Sequence, residues 1–301
     1  MAKVNPKSKS HDVNDSAMRE SIKSRTGLEA RFGFRPMSVL TEIKRGRLSK
    51  SMFCYQAEHR KFNSGKQHHD VTRMVTTSDG VWGGRPKGLT LSIMPAEVVE
   101  FFVKFYAKPG DVYVDPFMGQ GVQMQVAKLL GLHYYGYDLS TEFFQYIDAV
   151  RKKIDDGRTR INITHGDSRF PSSIPDGIGD FSFHSPPYWD IEEYGDDPGQ
   201  LGDGTYEEFM QGMEDVARAW LPKFKSGAVH IVNVNDFRKN GRFYSYHADT
   251  IRAYKNAGWD LHDTWILSGI IGKIASIFWR GMTEQRIAPR NHEYALVFKA
   301  P

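Results

Sequence analysis

From Pro95 onward, short β-branched or aromatic runs alternate with runs of helical spacing, and this alternation constrains the fold more than any other feature. Strand candidates are Asp111–Asp115, His133–Tyr137, Ile161–Thr164, Phe181–His184, Val229–Val234, Leu261–Leu267 and Tyr294–Phe298. Helical spacing runs from Pro95 to Tyr106, where Pro109-Gly110 ends it, and returns over Gly121–Leu130, Thr141–Ile154, Tyr206–Leu221 and Tyr244–Ala257. Strands alternating with helices over some 200 residues predict an α/β fold, a mostly parallel sheet with helices on both faces. A hydrophobic content of 40% in 301 residues supports such a core. The lone Cys54 excludes an intramolecular disulfide and a multi-thiolate zinc site. No apolar run approaches the ~20 residues of a membrane span, and the N-terminus has no apolar signal region, so the expectation is a cytoplasmic protein without a membrane partner.

The net charge of +4 is unevenly divided. Residues 1–90 hold 18 Lys and Arg against 8 Asp and Glu, a balance of +10, which leaves −6 for the rest. That asymmetry fits either a basic segment facing a polyanion or a solubilising tail. Residues 76–88 are rich in Gly and read as a linker. The expected division is therefore a small basic N-terminal extension, residues 1–88, partly disordered and a candidate for the polyanion contact, ahead of a larger domain at 89–301.

Between the first strand and its helix lies Asp115-Pro116-Phe117-Met118-Gly119-Gln120-Gly121. Ligands of open α/β sheets sit at the carboxyl ends of strands, and Gly119 and Gly121 let backbone approach where a Cβ would collide. The loop is not the dinucleotide fingerprint, and no lysine follows as a phosphate-binding loop requires. A nucleoside-like cofactor without a polyphosphate suits it; a plain tight turn is the alternative. Asp138 ends the next strand, where a carboxylate can accept ribose hydroxyls, and Asp167 follows the third, where it can accept an adenine amine; helix capping is the plainer role for both.

After the strand ending at His184 comes Ser185-Pro186-Pro187-Tyr188-Trp189. Two prolines fix φ and remove two donors, which frees nearby carbonyls for another partner. A hydroxyl, a free carbonyl and an aromatic face suit a planar base with an exocyclic amine; a packed loop or polyproline ligand would also contain these residues. His68-His69-Asp70, with His59 nearby, lacks a further ligand at zinc spacing, so no metal is expected.

Together, Asp115–Gly121 and Ser185–Trp189 resemble the S-adenosylmethionine-dependent amino-methyltransferases of DNA, which modify cytosine N4 or adenine N6. The similarity extends over roughly residues 89–300. It includes Met94–Gly110 as the helix before the cofactor loop, Lys108–Asp111 as its entry, Gly199–Gly202 after the catalytic segment, and His292-Glu293-Tyr294 as a strand walling the base pocket. Gln120 and Val122 depart from the small hydroxylated residue and threonine common in relatives. The resemblance implies a mixed, mostly parallel Rossmann-like methyltransferase sheet and S-adenosylmethionine held by Asp115, Phe117, Gly119, Gly121, Asp138 and Asp167. It implies catalysis by Ser185, Pro186, Pro187 and Tyr188, a flipped DNA base, and cytosine N4 ahead of adenine N6 because Ser185 leads the segment. RNA methylation and a catalytically silent binder of the same fold are the rivals. Candidate DNA contacts are Lys44, Arg45, Arg47, Lys50, Arg60, Lys61 and Lys66 in the basic segment, with Lys273, Arg280, Arg286 and Arg290 before His292. The acidic Asp190–Asp203 stretch is expected to form a lid or to face away from DNA. A homodimer and a restriction partner are left open.

Overall fold

The computed structural model describes residues 27–32, 34, 36–41, 43, 46–52, 94–189, 197–268, 286–288 and 290–301. Its main sheet has eight strands: β1 (Val39–Leu40), β2 (Val112–Asp115), β3 (His133–Asp138), β4 (Ile161–His165), β5 (Gly179–His184), β6 (Phe224–Val234), β9 (Asp260–Ser268) and β10 (His292–Lys299). Their order is β1-β9-β10-β6-β5-β2-β3-β4. Strands β4, β3, β2, β5 and β6 are parallel, β10 is antiparallel to both neighbours, and β1 adds parallel to β9. The predicted α/β sheet is therefore present, and it is mixed. A separate hairpin pairs β7 (Phe237–Lys239) with β8 (Arg242–Tyr244).

Two apolar clusters lie on opposite faces because successive strand residues point opposite ways. Tyr113 and Val297 join the cluster under α2 (Ala96–Tyr106), α3 (Val122–Leu129) and α4 (Thr141–Ile154). Val114 and Phe298 join the cluster under α5 (Tyr206–Trp220) and α6 (Tyr246–Asn256). Helix α5 starts with a full capping box from Thr205 and Glu208, which satisfies two exposed amides at once.

The described part of residues 1–88 is not a body apart from the sheet: Leu40, Ile43 and Met52 are buried in the same core as α2 and β9. The short helix α1 (Arg47–Ser51) is tied to α2 through Glu97, which accepts hydrogen bonds from Gly46 N (2.7 Å), Ser49 N (3.0 Å) and Ser49 Oγ. The rings of Phe32 and Phe34 pack on Phe101. The linker at 76–88, Cys54, His59, His68, His69 and Asp70 lie outside the described residues. Among the described residues no group of three potential metal ligands forms, and no helix is long and apolar enough to cross a membrane.

Candidate active site

The chain leaves β2, folds outward through β3 and β4, then returns to β5 on the other side of β2. Such a reversal opens a crevice at the carboxyl ends of the two central strands, and the two motifs are the segments that leave those ends. They share one cavity of about 350 Å³. Phe117, Gly119, Asp138 and Asp167 line it, as do Ser185, Pro186, Pro187 and Tyr188.

The glycine loop is held by its neighbours. Met118 N donates to Tyr137 O (2.9 Å) and Gly119 N to Asp138 Oδ2 (2.8 Å), while Ser168 Oγ donates to Pro116 O. Gly119 has φ +47°, and a Cβ there would meet nothing within 4 Å, so the loop presents bare backbone to open space. Gly121, at φ +71°, is the N-cap of α3, and a Cβ on it would fall 2.5 Å from Ile147 Cδ1. Its constraint is thus packing rather than ligand contact, and it does not line the cavity. Left-handed strain plus overpacking against a buried isoleucine should make Gly121→Ala about 2–4 kcal/mol less stable. Thermal unfolding reads this, and an unchanged midpoint would refute the packing role.

Asp115 also stands behind the cavity rather than in its wall. It is fully buried and accepts from Tyr134 Oη (2.7 Å) and Phe117 N (3.1 Å). Burial pushes its carboxyl up to about 7. Asp115 therefore shapes the loop, in contrast to the direct cofactor contact expected of it. Asp138 does face the cavity; it accepts Gly119 N through Oδ2 and Ser140 N through Oδ1 (2.9 Å). Burial raises it to about 6, with the Asp197 carboxylate a smaller contribution in the same direction. Asp167 reaches the cavity with both oxygens already accepting from Arg169 Nε, at 3.0 and 2.9 Å. A carboxylate has about four lone-pair sites, so a further donor can still be accommodated.

In the other half, Ser185 Oγ donates to Asn233 O at 3.2 Å, which leaves its lone pairs for an incoming donor. Pro187 O is occupied by Tyr246 Oη (3.1 Å), and Tyr188 packs edge-on against Tyr246. Beneath Ser185, His184 and His230 form a fully buried pair with Nε2 atoms 3.1 Å apart. Burial lowers His184 to about 3 and His230 well below the usual histidine value, so both are neutral supports.

Several wall residues were not read from the sequence as site residues. These are Asn233 near the end of β6 and Asn235 and Asp236 just beyond it; beside them Glu293, from the segment read as a wall, reaches in from β10 and accepts Asn233 Nδ2 at 2.5 Å. Glu293, from the segment expected to wall the base pocket, lines this cavity. Its carboxyl is raised by burial. Asn233 and Asn235, two positions apart at the end of the Val229–Val234 run, were the available signal, since extended chain of period two places both on one face. Asn233 Oδ1, Asn235 Oδ1 and Gln200 Nε2 are buried without a protein partner, as expected of groups awaiting a polar ligand.

Of the expected DNA contacts, Arg47 and Lys50 lie on α1, away from the cavity wall, and Arg286 is exposed. Lys44, Arg45, Arg60, Lys61, Lys66, Lys273 and Arg280 lie outside the described residues, as does 190–196 of the acidic stretch.

The family model described as DNA methylase, for N6 and N4 methyltransferases, matches residues 6–149, which include the glycine loop and Asp138. The chain is 29% identical over 123 residues to the Type II methyltransferase M2.LlaDCHI of Lactococcus lactis subsp. cremoris, covering 40% of this chain and 43% of that protein. It is 32% identical over 97 residues to the Type II methyltransferase M2.DpnII of Streptococcus pneumoniae, covering 32% and 34%. The match thus spans less than half the length of either relative. Among solved structures, TrmN from Thermus thermophilus aligns with a TM-score of 0.48 and 16% identity, over 69% of this chain and 49% of that one. The family match reaches the cavity through its glycine loop and Asp138, and over residues 6–149 the chain is similar to DNA methylases of the N6/N4 type.

Proposed function

We propose that the protein transfers a methyl group from S-adenosylmethionine to an exocyclic amino nitrogen in DNA, with cytosine N4 as the target. The observation that carries this reading is the single cavity joining the glycine loop and Asp138 to Ser185–Tyr188. Its two ends suit a nucleoside and a base. The residues present fit the cofactor: a bare Gly119 backbone, the Asp138 carboxylate, and the buried Gln200 Nε2 with no protein partner. S-adenosylmethionine supplies an electrophilic methyl group on its sulfonium.

Asp138 would accept the ribose hydroxyls, and Asp167, still tied to Arg169, would accept the adenine amine. Phe117 adds an apolar wall. At the base end, Ser185 Oγ, with its own hydrogen committed to Asn233 O, accepts one amine hydrogen. The Pro186 carbonyl accepts the other. Holding both hydrogens would favour the out-of-plane nitrogen lone pair for attack on an electrophilic methyl group, with the thioether as leaving group and the amine's surplus proton released to solvent, an effect of positioning and electrostatics. Tyr188, braced by Tyr246, offers its ring to the base. A base inside a duplex cannot reach this cavity without flipping, at a cost of a few kcal/mol repaid by phosphate and stacking contacts.

Nucleoside mass spectrometry of DNA from cells expressing the protein, beside a Ser185→Ala control, tests the reading. N4-methylcytosine is expected, reduced roughly 10–100-fold in the variant. N6-methyladenine in its place would reassign the target base. Methylation confined to RNA, or equal levels in the two samples, would overturn the assignment.

A further inference from the structure

The β7–β8 hairpin is used neither by the fold's main sheet nor by the chemistry above. Its turn, Asn240-Gly241, has φ of 50° and 76°, the two-residue turn whose twist matches paired strands. The hairpin carries Arg238, Lys239 and Arg242, and its Phe243 ring is 43% exposed. Each of these cations rests on an aromatic face. The guanidinium carbons of Arg238 and Arg290 lie 5.2 and 5.3 Å from the Phe243 ring centre. Arg242 lies 4.9 Å from that of Tyr244, and Lys239 Nζ 4.7 Å from that of Trp189. Among the described residues, Arg238, Arg242 and Arg290 have no carboxylate within ion-pair distance. The nearby Asp236 is engaged by His247 Nδ1 at 2.7 Å.

The hairpin is anchored to the rim of the base half of the cavity. Phe237, at its foot, lines that cavity and stacks on Tyr244 at 5.2 Å. Tyr244 in turn packs on Tyr206 and on Trp189, the residue after Tyr188. Cations stacked on rings keep their charge while losing rotamer freedom, so they meet a polyanion at low entropic cost. The only large apolar side chain exposed on the hairpin is Phe243, too little for an apolar protein interface.

We propose that the β7–β8 hairpin clamps the DNA backbone beside the target nucleotide, with Arg238 and Arg242 each neutralising a phosphate. This rests on the reading of DNA as substrate, and it adds a binding element outside both motifs. Its position sets which nucleotide is presented to Ser185, since phosphates fix register while base contacts supply sequence.

The test is fluorescence anisotropy of the full chain on a labelled duplex of mixed sequence, about 30 base pairs long, across a salt series. Three proteins are compared: wild type, Arg238→Gln with Arg242→Gln, and Arg238→Lys with Arg242→Lys. The glutamine pair should weaken DNA binding about tenfold and lower the slope of log Kd against log salt by about two. The lysine pair should restore most of that slope. S-adenosylmethionine affinity by calorimetry and the thermal midpoint should match wild type in both variants. An unchanged affinity and slope in the glutamine pair would overturn the clamp while leaving the substrate reading intact. A wild-type chain that binds the cofactor but no DNA would overturn the substrate reading and the clamp with it.

Discussion

A fragment spanning residues 89–301 is expected not to fold, although it contains both motifs and seven of the eight main-sheet strands. Leu40, Ile43 and Met52 are at most 7% exposed in the full chain and fill the face covered by α2. Burying three such side chains contributes about 1.5–3 kcal/mol each, a total comparable with the 5–15 kcal/mol net stability of a typical domain. The fragment would also open the edge of β9, which β1 covers, and expose the ring faces of Phe101 and Phe105 that pack on Phe32.

The loss extends to polar groups. Glu97 accepts two amides and a hydroxyl from residues 46–49, and Ser49 Oγ accepts Ala96 N at 2.9 Å. Burial alone would raise the Glu97 carboxyl, but hydrogen bonds from Ser49 and Gly46 outweigh it and the net shift is downward. In the full chain, Glu97→Ala should cost about 2–4 kcal/mol, because buried donors lose a charged acceptor. Circular dichroism and thermal unfolding decide the matter. A fragment that melts cooperatively near the full-length midpoint would show that residues 1–88 are dispensable to the fold.

The second large effect concerns Asp138. Its carboxyl titrates at about 6, raised from 3.8 by burial, and the ionised form is the better acceptor for two ribose hydroxyls. The ligand should therefore bind the deprotonated protein more tightly. Affinity should be constant above about pH 7 and fall as pH drops through 6, approaching tenfold per pH unit below it. Asp138→Asn should bind S-adenosylmethionine about 10–100-fold more weakly at pH 7.5, with little dependence on pH between 5 and 7.5. Asp115 titrates nearby, at about 7, but lies behind the wall, so the asparagine variant separates the two. Isothermal calorimetry across this range gives the answer. A wild-type affinity that stays flat from pH 5 to 7.5 would remove Asp138 from ribose recognition.

Local elements were legible wherever side-chain periodicity alone dictates them. Helix α4 has the predicted boundaries, Thr141–Ile154, since its apolar side repeats at helical spacing and Ser140 caps it. Strands β2, β3 and β5 lie where their apolar runs placed them, to within two residues. The cavity-lining roles of Phe117, Gly119, Asp138, Asp167 and Ser185–Tyr188 follow from where strands end, which a linear pattern can express. The β7–β8 hairpin was missed despite its Asn240-Gly241 signal, because three-residue strands carry too little alternation to register. The place of Leu40, Ile43 and Met52 was missed for a different reason. Two residues of strand and scattered apolar side chains have no period of their own, and their burial depends on partners more than forty positions away in sequence.

Alone, the sequence determined the α/β class, the two motifs and their order, because short-range spacing governs strands, helices and the loops at their ends. Tertiary structure decided the rest. It moved Asp115 and Gly121 out of the cavity wall, brought Asn233 and Asn235 into it, and drew Leu40, Ile43 and Met52 into the core. Those outcomes depend on which groups compete for the same small volume, and that competition exists only once distant segments are packed together.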